Sequence, residues 1–239
     1  MITERCWAVV PAAGRGSRMA SATPKQYLPL HGRTVLEHSL LSLLRLPAVQ
    51  AVVVALPDAD DIAQGLPVMA DERVVAVTGG AERSDSVLAG LDGLATLGAA
   101  SDDWVLVHDA ARPCLDRGAL QRLLQQTASL DTGGAILAEP VADTVKQADA
   151  RGQVVATVDR SALWRAQTPQ AFRFGELQDA LREASANGWE VTDEASAMER
   201  CGHPVWLVAG ERSNLKVTQP ADLKLAAFYL DSADQRAEN

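Results

Sequence analysis

The chain has 239 residues, room for one large or two small domains around a sizeable core. It is 47% hydrophobic and 22% charged, as a water-soluble globular protein is, but only 4% aromatic, so Ala, Val and Leu must supply most of the core. A net charge of −9 argues against broad nucleic-acid binding and requires any anion site to be a local cluster of Arg and Lys. No apolar run approaches the ~18 residues of a membrane span. The run in "MITERCWAVVPAAG" is too short for a secretion signal, so the expected location is the cytoplasm. Cys6, Cys114 and Cys201 are far apart, lack zinc-like spacing, and read as inert thiols.

The first predicted strand, Trp7 to Pro11, runs into "PAAGRGSRMASATPKQ". Counted from Gly14, both G-x-x-x-x-G-K-[ST] and G-x-G-x-x-G need a glycine where Met19 stands, so neither phosphate-binding motif is met. The stretch still suits a triphosphate with Mg²⁺. It begins at the carboxyl end of a strand, where open α/β sheets bind ligands. Ala12, Ala13, Gly14 and Gly16 allow close backbone approach. Arg18 and Lys25 supply separated cations, and Pro24 stiffens the chain before Lys25.

A helix is predicted at "TVLEHSLLSLLRL", where Thr34 and Glu37 stand in capping-box spacing. Further strands are expected at Ala51 to Leu56, Arg73 to Thr78, Trp104 to His108, Gly134 to Ala138 and Pro204 to Ala209, each apolar on both faces. Helical patterns at "SDSVLAGLDGLATLG", "DRGALQRLLQQTASL" and "RFGELQDALREASANG" alternate with them. The alternation predicts an α/β fold: a three-layer α/β/α sandwich on a mostly parallel, Rossmann-like sheet, in a single domain over residues 1–239.

Two β-prone pieces, "DTVKQA" and "QVVATV", flank the turn signal "DARG" and read as a hairpin inserted into this order. Such a hairpin, spanning about 139–162, has little of its own to bury against and is expected to be a protruding dimerisation arm, the alternative being a hairpin folded onto its own domain. The polar tail "DSADQRAEN" is expected to fray.

Later blocks carry further chemistry. In "HDAARP", Asp109 and Arg112 would face one crevice, where the Asp takes a hydroxyl or a metal; the plainer reading is a loop cap beside a surface Arg. In "GGAERSDS", Gly79 and Gly80 allow close approach and Ser86 offers one hydrogen bond, or the block is a helix N-cap loop. Alone, Lys216 in "NLKVT" reads as a surface charge and Thr192 in "VTDEAS" as an N-cap. Thr144 and Arg160, on the hairpin, carry no signal of their own. His31, His38, His108 and His203 form no metal cluster in sequence and read as structural.

Taken in order, "VVPAAGRGSRM…PKQYLPLHGRTVLEHSL", "GGAERSDSVLAGL", "WVLVHDAARPC", "DTVK", "VDRSALWRAQTPQAF", "VTDEASAMER" and "NLKVTQPADL" resemble the 2-C-methyl-D-erythritol 4-phosphate cytidylyltransferases over nearly the whole chain. Ala81 departs from the pattern, which commonly has an acidic residue there; a backbone contact survives that change. The resemblance implies a nucleotidyltransferase-type fold that transfers CMP from CTP to 2-C-methyl-D-erythritol 4-phosphate. It implies catalytic roles for Arg18, Lys25, Lys216 and Asp109, and nucleotide contacts from Pro11, Ala12, Ala13, Gly14, Gly16, Gly80, Ala81, Ser86 and Ala110. Arg112, Thr144, Arg160 and Thr192 would bind the acceptor, the arm reaching the second subunit of a homodimer. Mg²⁺, or another divalent cation, would be held mainly by the CTP phosphates, with Asp109 the one side chain that could join them. The implied partners are CTP, a polyol phosphate and a second copy of the chain, with no nucleic acid and no membrane.

Two alternatives stand beside this reading. Ribitol 5-phosphate cytidylyltransferases look alike through the first loop, but "HDAARP" and "TDEAS" lean towards methylerythritol phosphate. A non-catalytic nucleotide-binding module would not require Arg18, Lys25, Asp109 and Lys216 together.

Overall fold

The structure, a computed structural model, describes residues 5–14 and 23–237, with side chains through 232. In chain order, β1 (Cys6–Pro11) leads to a small hairpin of β2 (Pro29–Leu30) and β3 (Arg33–Thr34), then α1 (Val35–Leu44), β4 (Val49–Leu56), α2 (Asp61–Gln64), β5 (Val74–Thr78), α3 (Arg83–Thr96), β6 (Trp104–Val107) and α4 (Arg117–Thr127). The second half holds β7 (Gly134–Pro140), β8 (Val145–Ala148), β9 (Val154–Val158), β10 (Trp164–Arg173), α5 (Phe174–Ala186), α6 (Glu194–Arg200), β11 (Val205–Ala209) and α7 (Pro220–Ala237).

Seven strands form one sheet in the order β11-β7-β10-β6-β1-β4-β5. Neighbours pair in parallel except at β10, which runs antiparallel to both β6 and β7. The run of short apolar strands is explained by cover on both faces. Along β1, Cys6, Ala8 and Val10 point to one side, where Leu36, Leu40 and Leu43 of α1 and Leu120, Leu123 and Leu124 of α4 pack. Trp7 and Val9 point to the other, against Val87, Leu91 and Leu94 of α3 and Leu177 and Leu181 of α5. Hence the sandwich is three-layered, as expected. A smaller apolar cluster seats α7, with Ala226 packed near Leu30, Val35, Cys114 and Val217.

The capping box at α1 forms as its spacing predicts: the Glu37 backbone N–H donates to Thr34 Oγ1 at 3.2 Å, and Glu37 Oε2 accepts from the Thr34 backbone N–H at 2.7 Å. Among the described residues β8 and β9 pair only with each other, and Val154 and Val155 are 56% and 58% exposed, so the predicted hairpin stands off the main sheet.

The structure revises several boundaries. Glu139 and Pro140 belong to β7, so the arm starts after them rather than at 139. α7 carries helical backbone through Ala237, into the polar tail. β10 has no counterpart among the expected strands. Its sequence "WRAQTPQAFR" puts Gln167, Thr168, Pro169 and Gln170 where an apolar run is looked for, and the pairing with β7 shifts register between Ala166 and Gln170. Proline cannot donate to a ladder and is tolerated at such an irregularity. Cys6 and Cys114 are buried, Cys201 is partly buried, and all three are free thiols. Burial pushes both Cys6 and Cys114 up to about 12, which fits inert thiols.

Candidate active site

The chain passes from β1 outward through β4 and β5, then returns to β6 on the other side of β1. At such a reversal the loops leave the carboxyl ends of β1, β5 and β6 in different directions and open a crevice between them. A cleft with about 620 Å³ of empty space lies there. Its lining brings together Pro11, Ala12, Ala13, Gly14, Lys25, Gly80, Ala81, Ser86, Asp109, Ala110 and Lys216. Gly16 and Arg18 lie outside the described residues.

Each wall is fixed by its own chemistry. The loop after β1 stays along the sheet through the Ala12 N–H on the Ala55 carbonyl at 2.8 Å. It is then held by Gln26, 3% exposed, whose Nε2 donates to the carbonyls of Ala12 and Gly14 at 2.9 and 3.3 Å. The opposite wall needs its glycines. A Cβ on Gly79 would lie 2.7 Å from Ala13 Cβ and 2.8 Å from Ser86 Oγ, and one on Gly80 would lie 2.2 Å from Asp85 Cβ. Ser86 Oγ accepts from the Gly80 N–H at 3.1 Å and donates to the Glu82 carbonyl at 3.2 Å, closing the turn into α3.

The floor is a buried charge cluster. Asp109, 6% exposed, accepts at Oδ2 from Lys216 Nζ at 3.0 Å and from Arg112 Nε at 3.1 Å, and at Oδ1 from Arg83 Nε at 3.3 Å. Burial works against the charged form of this carboxylate, but Arg83, Lys216 and Arg112 outweigh it and hold the group well below the usual carboxylate range. Arg83 in turn binds Glu194, which is fully buried, through Nη1 and Nη2 at 2.5 and 3.0 Å. Behind Asp109, the Thr168 hydroxyl accepts from the Asp109 backbone N–H at 3.0 Å and donates to His108 Nδ1 at 3.0 Å. His108 Nε2–H donates to the Arg112 carbonyl at 3.1 Å. These partners fix a neutral tautomer, and burial pushes the ring down to about 4, against the opposing pull of Asp109.

Other expected site residues stand apart from the cleft lining. Arg112 is buried behind Asp109, with Nη1 on the Asn214 carbonyl at 2.6 Å. Thr192 is exposed and precedes the cap of α6, which is Asp193, not Thr192. Thr144 and Arg160 are exposed at the ends of the hairpin, where Arg160 donates to the Ala142 carbonyl. Sequence reading missed Gln26, Arg83, Thr168, Glu194 and Asn214. Arg83 and Glu194 lie inside quoted blocks, but 111 positions separate them and no spacing links them.

A glycine-bearing loop after the first strand, with cations from both ends of the chain converging beside it, places the molecule among the nucleotidyltransferase-like α/β enzymes. The sequence model of the family described as "2-C-methyl-D-erythritol 4-phosphate cytidylyltransferase" matches residues 6–232. Proteins of that name from Ectopseudomonas mendocina and Photobacterium profundum are 54% and 50% identical over 222 and 237 residues. Those matches cover 93% and 96% of this chain and 94% and 98% of theirs. The crystal structure of a 4-diphosphocytidyl-2C-methyl-D-erythritol synthase superposes with a TM-score of 0.82 at 42% identity, covering 96% of this chain and all of the other. The Francisella tularensis 2-C-methyl-D-erythritol 4-phosphate cytidylyltransferase gives 0.82 at 34%, covering 94% and 99%. The chain belongs to the 2-C-methyl-D-erythritol 4-phosphate cytidylyltransferase family and is a nucleotidyltransferase.

Proposed function

We infer that this cleft transfers CMP from CTP to 2-C-methyl-D-erythritol 4-phosphate, a step of non-mevalonate isoprenoid synthesis. The observation that carries the reading is the convergence of Lys25, Lys216 and Asp109 on one cleft with the loop after β1. A phosphate oxygen of the acceptor forms a bond to the α-phosphorus of CTP. The bond from that phosphorus to the bridging oxygen breaks, and pyrophosphate leaves with the electron pair. The products are 4-diphosphocytidyl-2-C-methyl-D-erythritol and pyrophosphate.

The acceptor is already an anion, so the enzyme's task is to hold two anions together and stabilise charge on the transferring and leaving groups. Lys25 and Lys216 suit that task, with Arg18 as the third cation. Asp109 is poorly suited to take a proton, since cations occupy both its oxygens. Its role is to hold Lys216. On the nucleotide side, Pro11, Ala12, Ala13, Gly14, Ala81 and Ala110 line the space for CTP, Gly16 is assigned to it by the family resemblance, and the Gly80 carbonyl beside Ser86 accepts from the exocyclic amine that distinguishes cytosine from uracil.

Among the described residues no group of three or more His, Cys, Asp and Glu could hold a metal. Asp109 could join a metal only by releasing a cation. The donor set thus suits a divalent ion that arrives on the triphosphate, Mg²⁺ or another, and when bound that ion neutralises phosphate charge. On the acceptor side we assign Arg112, Thr192 and, from a second subunit, Thr144 and Arg160. The exposed valines of the arm support a homodimer joined through it, with the single domain of each chain keeping one cleft. No described helix is long and apolar enough to cross a membrane, and we assign the enzyme to the cytoplasm.

The test is pyrophosphate release from CTP with each acceptor, with and without Mg²⁺. Turnover with methylerythritol phosphate is expected. Turnover with ribitol 5-phosphate alone would move the assignment to that enzyme, and turnover with neither would leave a nucleotide-binding module.

A further inference from the structure

Arg83 has no part in the roles just given, yet its guanidinium spans two carboxylates from distant parts of the chain. Nη1 and Nη2 bind Glu194, while Nε and Nη2 lie 3.3 Å from Oδ1 of Asp109. Three of its five N–H groups are thus committed to hydrogen bonds, and Nη2 is also shared with Asp109. Glu194 is fully buried, so releasing Arg83 towards a phosphate would strand a buried charge. These contacts argue against Arg83 as a direct phosphate ligand and for a supporting role.

The role follows from how Asp109 is divided. Oδ1 belongs to Arg83, and Oδ2 is shared by Arg112 and Lys216. With Oδ1 bare, the Lys216 ammonium could settle across both oxygens. With Oδ1 taken, Lys216 is confined to Oδ2, which uses one of its three donors and leaves two for phosphate oxygens. We propose that Arg83, anchored by Glu194, is a positioning residue that holds Lys216 to one oxygen of Asp109 and so keeps its ammonium turned towards the transferring phosphate. The inference rests on Lys216 serving the CTP phosphates, as read above. An arginine is required because its planar fork reaches two carboxylates at once, whereas a lysine is a point charge that serves one.

The test is a double-mutant cycle on the full chain, read as pyrophosphate release with thermal melts alongside. Arg83→Lys keeps the charge and loses the bridge; it is expected to lower kcat about 10- to 100-fold, the scale of an ångström-sized misplacement. KM for both substrates should stay near wild type, while the melting temperature falls because the buried Glu194 no longer receives two hydrogen bonds from one guanidinium. In a Lys216→Ala background the same substitution should change kcat by less than about threefold, because the group it positions is gone. If Arg83→Lys does not fold, Glu194→Gln, which keeps the shape of the anchor, carries the same cycle with the same expectation. Equal losses with and without Lys216, or a lowered melting temperature with wild-type kcat, would overturn the inference. A Lys216→Ala enzyme with undiminished turnover would overturn the phosphate reading itself, and the inference with it, and that result is distinguishable from the other two.

Discussion

Lys25 Nζ donates to the carbonyl of Val217 at 3.1 Å, next in sequence to Lys216, whose own Nζ lies 3.0 Å from Asp109. Two lysines near opposite ends of the chain are therefore held on one short segment. The Val217 N–H on the Ala111 carbonyl at 2.8 Å ties that segment to the loop after β6. Positive charge is thus placed beside the loop after β1 by backbone as well as by side chains.

Lys25→Ala and Lys216→Ala should each cost about 2–4 kcal/mol of transition-state stabilisation, as loss of one electrostatic donor does. The same is expected of Arg18→Ala. Steady-state pyrophosphate release by the purified variants measures it, and near wild-type kcat/KM in any of the three would remove that residue from the catalytic set.

The glycine wall gives a second prediction. Gly80→Ala puts a methyl on Asp85 Cβ, and Gly79→Ala puts one between Ala13 and Ser86. Either must push the turn into α3 or the loop after β1, at about 1–3 kcal/mol of overpacking. The expected outcome is a several-fold rise in KM for CTP together with a lower melting temperature. A normal KM in a destabilised Gly79→Ala protein would mean that this wall does not touch the nucleotide.

What could be read from sequence divides along physical lines. Alternating apolar strands and helices betray themselves through local pattern, as do the Thr34 cap and the hairpin turn at "DARG". Pro11 to Gly14, Lys25 and Asp109 were legible because residue type and position at a strand end carry meaning together. β10 was not, because Gln167, Thr168 and Gln170 serve neighbours rather than an apolar face: the Gln167 side chain donates to the Glu211 carbonyl at 3.0 Å, and that of Gln170 to Asp193 at 2.9 Å. Arg83, Glu194 and Asn214 were equally opaque, since their partners are chosen by the fold and not by spacing.

His108 makes the fold pH-dependent. Buried and neutral, it titrates near 4 when folded against an ordinary 6.5. Below about 6.5 the unfolded chain therefore binds a proton that the folded one refuses, and stability falls as pH drops towards 4. Asp109 acts in the same direction lower down: its folded pKa lies below its ordinary 3.8, so its stabilisation is lost only as pH falls below that value. Urea unfolding should show a loss of about 2 kcal/mol between pH 7 and pH 5, largely absent in His108→Gln. A flat wild-type profile over that range would contradict the buried neutral ring.

The arm supplies the last prediction. If Arg160 serves the cleft of a second subunit, Arg160→Ala should raise KM for the acceptor and leave that for CTP nearly unchanged. Mixing then separates exchange from self-service. A mixed dimer of Arg160→Ala and Lys216→Ala chains has one cleft with both defects. Its other cleft, formed by the intact core of the Arg160→Ala chain and the intact arm of the Lys216→Ala chain, has none. Assayed with the acceptor well below the KM of Arg160→Ala, two weak enzymes, unfolded together and refolded, should then regain about a quarter of wild-type activity, since half the dimers are mixed and each has one sound site. If each arm instead folds over its own cleft, every site in the mixture keeps one defect. Activity would stay at the average of the two variants, and the exchanged-arm reading would fall.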